Sequence, residues 1–148
     1  RSKFRDEYGE IDPGCDIELV GHSATPMELN SYIGIQQMKY ADEILRKQRI
    51  NAEFWDKIFE NQNDLKPIRS AYTNPNYWVY GILVPNKREY LKKFREKGFY
   101  ASGVHINNNI YSVFGDKTEL PGVKNFYNSF LALPCGWWVN PEQISNKN

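Results

Sequence analysis

The longest regular alternation of apolar and polar positions runs over residues 40–61. Ala41, Ile44, Leu45, Gln48, Ala52, Trp55, Ile58 and Phe59 recur at steps of three and four, which gathers them on one face of a helix. The opposite face carries Asp42–Arg46, Glu43–Lys47 and Glu53–Lys57, each an acid four residues before a base, the order that supports a helix. Upstream, TPMEL predicts an abrupt helix start, with Thr25 as N-cap, Pro26 at the first helical position and Glu28 closing a capping box. Leu29, Ile33 and Met38 continue that helix, and Gly34 weakens it unless another backbone packs close. Beyond a loop at 61–66 the pattern changes. Residues 68–72 read as a short strand, and YWVYGILV (77–84) as a stronger one, rich in β-branched and aromatic side chains. Residues 87–97 return to helical spacing, with Tyr90, Leu91 and Phe94 inward and Gly98 as terminator. FYASGVHI (99–106) reads as a strand and residues 106–122 as a long loop of a kind that often carries function. A short helix over 123–131, with Phe126, Tyr127 and Phe130 on one side, then leads into a last strand at LALP (131–134). The first twenty residues are polar and irregular, with a turn at Pro13-Gly14. This order predicts an α/β domain in two layers, a small sheet covered by helices on one face, and no internal repeat is visible.

Composition narrows the class. A chain of 148 residues with 41% hydrophobic and 25% charged residues suits one globular domain, spanning 1–148. A net charge of +1 gives no general attraction to nucleic acid or to an anionic membrane. No apolar run approaches membrane-spanning length and no signal peptide opens the chain. Cys15 and Cys135 are its two cysteines, without a spaced set of histidines, so a zinc site is not expected and a reducing, cytoplasmic setting is. The chain begins with Arg1 rather than Met, as a piece of a longer protein would.

Four stretches could carry chemistry. In ALPCGWWVNPE, Cys135 would need a base to become a nucleophile, and His22 and His105 are the histidines available. No local signature joins them, so a small buried hydrophobe is the expected role. Trp137 and Trp138 either pack at a domain edge or offer a stacking platform. His105 ends a predicted strand and is followed by three asparagines and Tyr111. It either bonds a nearby carbonyl or contacts a ligand together with Asn107 and Tyr111, and the residues leave both readings open. Finally, Gly21, His22 and Ser23 precede a helix N-terminus, a place where anions bind. No catalytic acid–base pair, glycine-rich phosphate loop or metal cluster is visible.

GHSATPMELNSYIGIQQMKYADEILRKQRINAEFWDKIF resembles a stretch of the DegT/StrS group of pyridoxal phosphate (PLP)-dependent sugar aminotransferases. There a G-x-N-x-x-M-x-E-L loop enters a helix ending x-G-x-x-Q-L, and a long helix with R-R-x-x-A follows. Gly21, Glu28, Leu29, Gly34, Ile35, Gln37, Met38, Arg49 and Ala52 fall into that series. LPGVKNFYNSFLALPCGWWVNPEQI resembles the closing segment of the same family, in which an L-x-L-P strand precedes a turn and a terminal helix.

The resemblance implies the C-terminal small domain of a fold-type I aminotransferase. Residues 1–62 would be a loop plus connecting helices, and 63–148 a mainly antiparallel sheet with its helices. The parent would be a homodimer that moves an amino group from an amino acid, usually glutamate, to a nucleotide-linked keto-sugar, as in surface-polysaccharide synthesis. Its Schiff-base lysine would lie upstream, since none of these lysines stands in the family's S-x-x-x-K setting. The piece alone would therefore not transaminate. Ser23, with His22 beside it, stands where the family often has an asparagine reaching the PLP phosphate of the other subunit. Thr25 and Pro26 replace that loop's arginine and methionine. His105, Asn107 and Tyr111 fall in the region lining the nucleotide-sugar pocket. The rival reading is a non-enzymatic carbohydrate- or nucleotide-binding module built on the aromatics and Asn107 to Asn109; a thiol enzyme is a weaker third.

Overall fold

A computed structural model describes residues 4–21, 25–115 and 118–146. The chain forms α1 (Glu28–Gln37), α2 (Ala41–Phe59), β1 (Lys66–Pro67), β2 (Val79–Leu83), α3 (Lys87–Glu96), α4 (Pro121–Ser129), β3 (Phe130–Pro134) and α5 (Pro141–Asn146). The three strands make one antiparallel sheet in the order β1-β2-β3. Val79 pairs with Pro134 and Leu83 with Phe130, so β2 lies between the other two. Tyr80 and Ile82 alternate with half-buried Val79, Gly81 and Leu83, the period-two burial of a strand with one face on the core. The expected α/β class and small antiparallel sheet are therefore present.

Helix α2 organises the core. Its predicted apolar face buries Ala52, Trp55 and Phe59 against Tyr80, Ile82, Leu131 and Leu133 of the sheet and Leu91 and Phe94 of α3. Trp55 is fully buried and stacks on Phe59 with ring centroids 5.6 Å apart, while Phe99 meets it edge-on at 5.0 Å. Its indole Nε1 donates to the Pro134 carbonyl at 2.9 Å, so the aromatic body packs while its polar edge finds an acceptor. Asn51, one turn earlier, is also buried and donates to the carbonyls of Gly136 (2.9 Å) and Val139 (3.2 Å). Those bonds pin the turn after β3 to α2.

Several local expectations change. The cap of α1 is Met27, in extended conformation and without a side-chain bond. Thr25 and Pro26 therefore precede the helix rather than start it. None of the residues of α1 is buried, and Leu29, Ile33 and Met38 are exposed instead of forming a core face. The strand expected at 68–72 shifts to Lys66–Pro67, and Ile68 adds one bond from its N–H to the Gly81 carbonyl. Proline is tolerated there because β1 is an edge strand. The strand expected at 77–84 shortens at both ends, with Tyr77 at φ 51° before it. The helix expected at 123–131 begins at Pro121 and stops at Ser129, so that Phe130 opens β3 and stacks on Phe126.

The strand expected at 99–106 does not form. Ser102 exchanges two backbone bonds with Ala132, and pairing ends there. The next N–H, of Gly103, turns to the Glu10 carboxylate at 2.6 Å, and Val104 at φ 61° reverses the chain. The Val104 N–H, the next that could pair with the sheet, goes instead to the Ser102 hydroxyl at 2.9 Å, so a local side chain has taken the donor that would have continued the strand.

Candidate functional site

That reversal forms one wall of a cleft of about 500 Å³. The N-terminal segment (Asp6 to Pro13) faces it, the start of α3 (Asn86 to Arg88) forms its base, and Tyr127 and Asn128 of α4 close one side. The start of α3 is well determined locally: the Asn86 side chain accepts the Glu89 N–H at 3.3 Å and donates back to the Glu89 carboxylate at 3.3 Å. This reciprocal cap places Lys87 at the first helical position.

Lys87 is half-buried and directed across the cleft. Its Nζ donates to the Tyr127 carbonyl at 2.9 Å and lies 4.1 Å from the centroid of the Tyr127 ring. Burial pulls its pKa down, and the nearby Glu10 carboxylate works in the opposite direction. The ammonium sits so close to Gly103 that a Cβ built there would be 2.7 Å from Nζ. Glycine is therefore what lets the turn and the lysine share this space.

Glu10 is the hub on the other side. Its Oε1 pairs with Arg95 at 2.9 Å, and its Oε2 accepts from the Gly103 N–H at 2.6 Å and the Ser102 hydroxyl at 3.2 Å. Arg95 also donates to the Ala101 carbonyl from Nε (3.1 Å) and Nη2 (2.9 Å), and to the Tyr8 carbonyl. The pair thus ties the N-terminal segment, α3 and the turn at 101–104 together.

His105 lines this cleft and is exposed, with its ring 6.3 Å from that of Trp78. Asn107 lines a neighbouring cleft of about 390 Å³ that shares Pro13, Tyr127 and Asn128 with the first. Its amide donates to Asn109 at 2.6 Å, and Asn109 donates to the Thr118 carbonyl at 2.9 Å, so two of the three asparagines brace the loop. Tyr111 is buried and lines neither cleft. The expected trio is thus split: His105 and Asn107 line two clefts that share residues, and Tyr111 is buried outside both. His22 and Ser23 lie outside the described residues. Glu10, Lys87, Arg95 and Tyr127 were missed by sequence reasoning. Only Lys87 carried a local signal, following a strand and an asparagine cap at a helix start; the other three are joined by tertiary contact alone.

Cys135 is fully buried, and its Sγ donates to the Gln48 carbonyl at 3.3 Å. Burial pushes its pKa up to about 12, so at neutral pH it is a thiol, not a nucleophile. In the folded protein at pH 7–8, Cys135 should resist iodoacetamide and react only on unfolding; mass mapping showing rapid native alkylation there would contradict this. Trp137 and Trp138 are half to two-thirds exposed, and the Trp138 ring lies directly over Gly136. Among the described residues, no group of three or more His, Cys, Asp or Glu side chains is placed to hold a metal. No helix there is long and apolar enough to cross a membrane.

The described residues do not by themselves fit PLP. Lys87 is the lysine that lines the main cleft, and its amine is engaged with Tyr127. That cleft also brings Asp6 and Glu10 to its wall, which suits a phosphate cradle poorly.

This α/β fold, an exposed helix leading into a small antiparallel sheet, is shared with a solved sugar aminotransferase. Residues 3–146 match the DegT/DnrJ/EryC1/StrS aminotransferase family, and the chain belongs to it. It is 23% identical over 141 residues to the UDP-4-amino-4,6-dideoxy-N-acetyl-beta-L-altrosamine transaminase of Helicobacter pylori, covering 88% of this chain and 37% of that protein. Among solved structures, a sugar aminotransferase from Micromonospora echinospora superposes with a TM-score of 0.74 at 27% identity, covering 84% of this chain and 34% of that one. Another solved structure, that of AtS13 from Actinomadura melliaura, gives 0.73 at 29% identity and covers 99% of this chain and 42% of that one. The chain thus spans between a third and a half of the length of these relatives.

Proposed function

We propose that these 148 residues are one domain, the C-terminal small domain of a PLP-dependent aminotransferase acting on a nucleotide-linked keto-sugar. The observation that carries the reading is the family match over residues 3–146, joined to a fold shared with a sugar aminotransferase at 27% identity. The amino donor is glutamate, and the working enzyme is a cytoplasmic homodimer. PLP and the lysine that holds it belong to the remainder of the protein. His105 and Asn107 supply polar contacts to the nucleotide-sugar from the clefts beside α4, and His22 and Ser23 reach the cofactor phosphate of the other subunit.

Helix α1 supports this reading. Leu29, Tyr32, Ile33 and Ile35 are all exposed on a ten-residue helix that buries nothing within this chain, and Met38 just after it is exposed too. A helix this short is marginal in water without packing. Its apolar side chains suit a surface covered by the larger domain.

The isolated 148-residue chain, given PLP, glutamate and a UDP-linked 4-keto-sugar, should show no lysine-linked cofactor absorbance and no 2-oxoglutarate release. The full-length protein should show both. A cofactor band in the isolated chain would overturn the division of labour, and a full-length protein that releases no 2-oxoglutarate with keto-sugar nucleotides would overturn the function. If it instead binds the nucleotide-sugar without PLP, the chain is a binding module.

A further inference from the structure

Val104 is a β-branched residue held at φ 61°, where only glycine is at ease. Such a conformation persists when its surroundings over-determine it. Here they do so from both sides. Before the turn, Arg95 grips the Ala101 carbonyl with two donors. Within it, Glu10 takes the Ser102 hydroxyl and the Gly103 N–H, the Ser102 hydroxyl accepts the Val104 N–H at 2.9 Å, and the His105 N–H closes on the Gly103 carbonyl at 2.7 Å. A turn closed over three residues at positive φ is rare and strained. The two charged groups are largely buried, 17% exposed for the Glu10 side chain and 19% for Arg95, and the Tyr100 ring lies 4.6 Å from the guanidinium.

The residue immediately after this turn is His105, which lines the main cleft 6.3 Å from Trp78. Trp78 in turn follows Tyr77, the other non-glycine residue at positive φ among those described. Without Glu10, the Ser102 hydroxyl would lose the acceptor that orients it, and the Val104 N–H that this hydroxyl now accepts would be free to continue the pairing that Ser102 begins with Ala132. An extended chain sends successive side chains to alternate faces. His105 would then leave the position it now holds.

We propose that Glu10 and Arg95 are positioning residues for His105: their ion pair holds the 102–105 turn in its strained form and so sets the histidine against Trp78 at the cleft, where it meets the nucleotide-sugar. The second half of this rests on the functional reading above; the first half does not.

The test uses the full-length protein with ring-13C-labelled histidine. His22 and His105 are the two histidines of this chain, and a His105→Ala spectrum assigns the signal. The Trp78 ring current should displace the His105 C–H resonances from their positions in a Trp78→Leu variant. Both Glu10→Gln and Arg95→Gln should move them toward that reference, whereas Val104→Gly, at ease at positive φ, should leave them in place. The Glu10 and Arg95 variants should also raise KM for a UDP-linked keto-sugar by about three- to tenfold while kcat stays within about twofold, the mark of a lost binding contact. Unchanged His105 resonances in folded Glu10→Gln and Arg95→Gln proteins overturn the positioning role. If the resonances move but KM does not, positioning serves no ligand contact and the proposal fails there. If His105→Ala itself leaves KM unchanged, it is the functional reading of His105 that has failed.

Discussion

Trp55→Ala should cost about 3–5 kcal/mol of stability, the range for emptying a buried tryptophan site. The indole is fully buried and is the one ring in contact with four others: Phe59 and Tyr80 lie roughly parallel to it and Phe94 and Phe99 meet it edge-on. Truncation removes these contacts together and orphans the Pro134 carbonyl that Nε1 now satisfies. Against a domain stability of order 5–15 kcal/mol, that is a large share. Urea denaturation should show a much lower midpoint with an unchanged slope. Trp55→Phe should lose distinctly less, since it keeps most of the apolar contact. A Trp55→Ala protein within about 1 kcal/mol of the parent would mean that the site collapses around the hole and that α2 is not the organiser of this core.

Asn51→Asp should approach the same size at neutral pH for a different reason. The Asn51 amide donates to two carbonyls from a position 2% exposed. A carboxylate of the same shape would face two acceptors with no partner, and an uncompensated buried charge costs about 3–5 kcal/mol. The folded state would hold the new acid protonated, above its ordinary pKa. Stability would then be nearly retained below about pH 4, the unfolded value for Asp, and lost progressively as pH rises above it. Asn51→Ala, with no charge to bury, should show a smaller deficit of about 1–3 kcal/mol, chiefly for the Val139 carbonyl, since Gly136 keeps the Val139 N–H, and without that pH dependence. Equilibrium unfolding at pH 4 and pH 7 separates the two; equal deficits for Asn51→Asp at both would show that the side chain does not face those carbonyls. Because the same bonds hold the turn over Cys135, the thiol should become open to alkylation in Asn51→Asp at neutral pH.

Asn51 also marks the limit of reading the chain as a pattern. The steps of three and four picked out Ala52, Trp55 and Phe59 and the extent of α2 to within two residues, because a long amphipathic helix repeats its signal over five turns. Asparagine on that face broke the apolar pattern, and only the arrival of Gly136 and Val139 from 85 and 88 residues away explains it. The two-residue strand β1 lies below the length at which alternation can be recognised. The side chains of α1 are apolar near helical spacing and yet exposed, so their pattern was legible but their burial was not.

The site divides in the same way. The polar loop after a hydrophobic run made His105 and Asn107 candidates, and each lines a cleft beside α4. Tyr111 looked equivalent in sequence and instead packs inside. Residue type and spacing were enough to determine the class of fold, the main helix and the family, since these depend on local repetition and on an ordered series of residues. The course of residues 102–105 was not decided there. FYASGVHI has the composition of a strand, and it is turned aside because the Ser102 hydroxyl takes the Val104 N–H that would have continued the ladder, while Glu10, more than ninety residues earlier, holds that hydroxyl and the Gly103 N–H. Whether a carboxylate is there to hold the turn depends on where distant segments meet in space, and that is settled by tertiary packing alone.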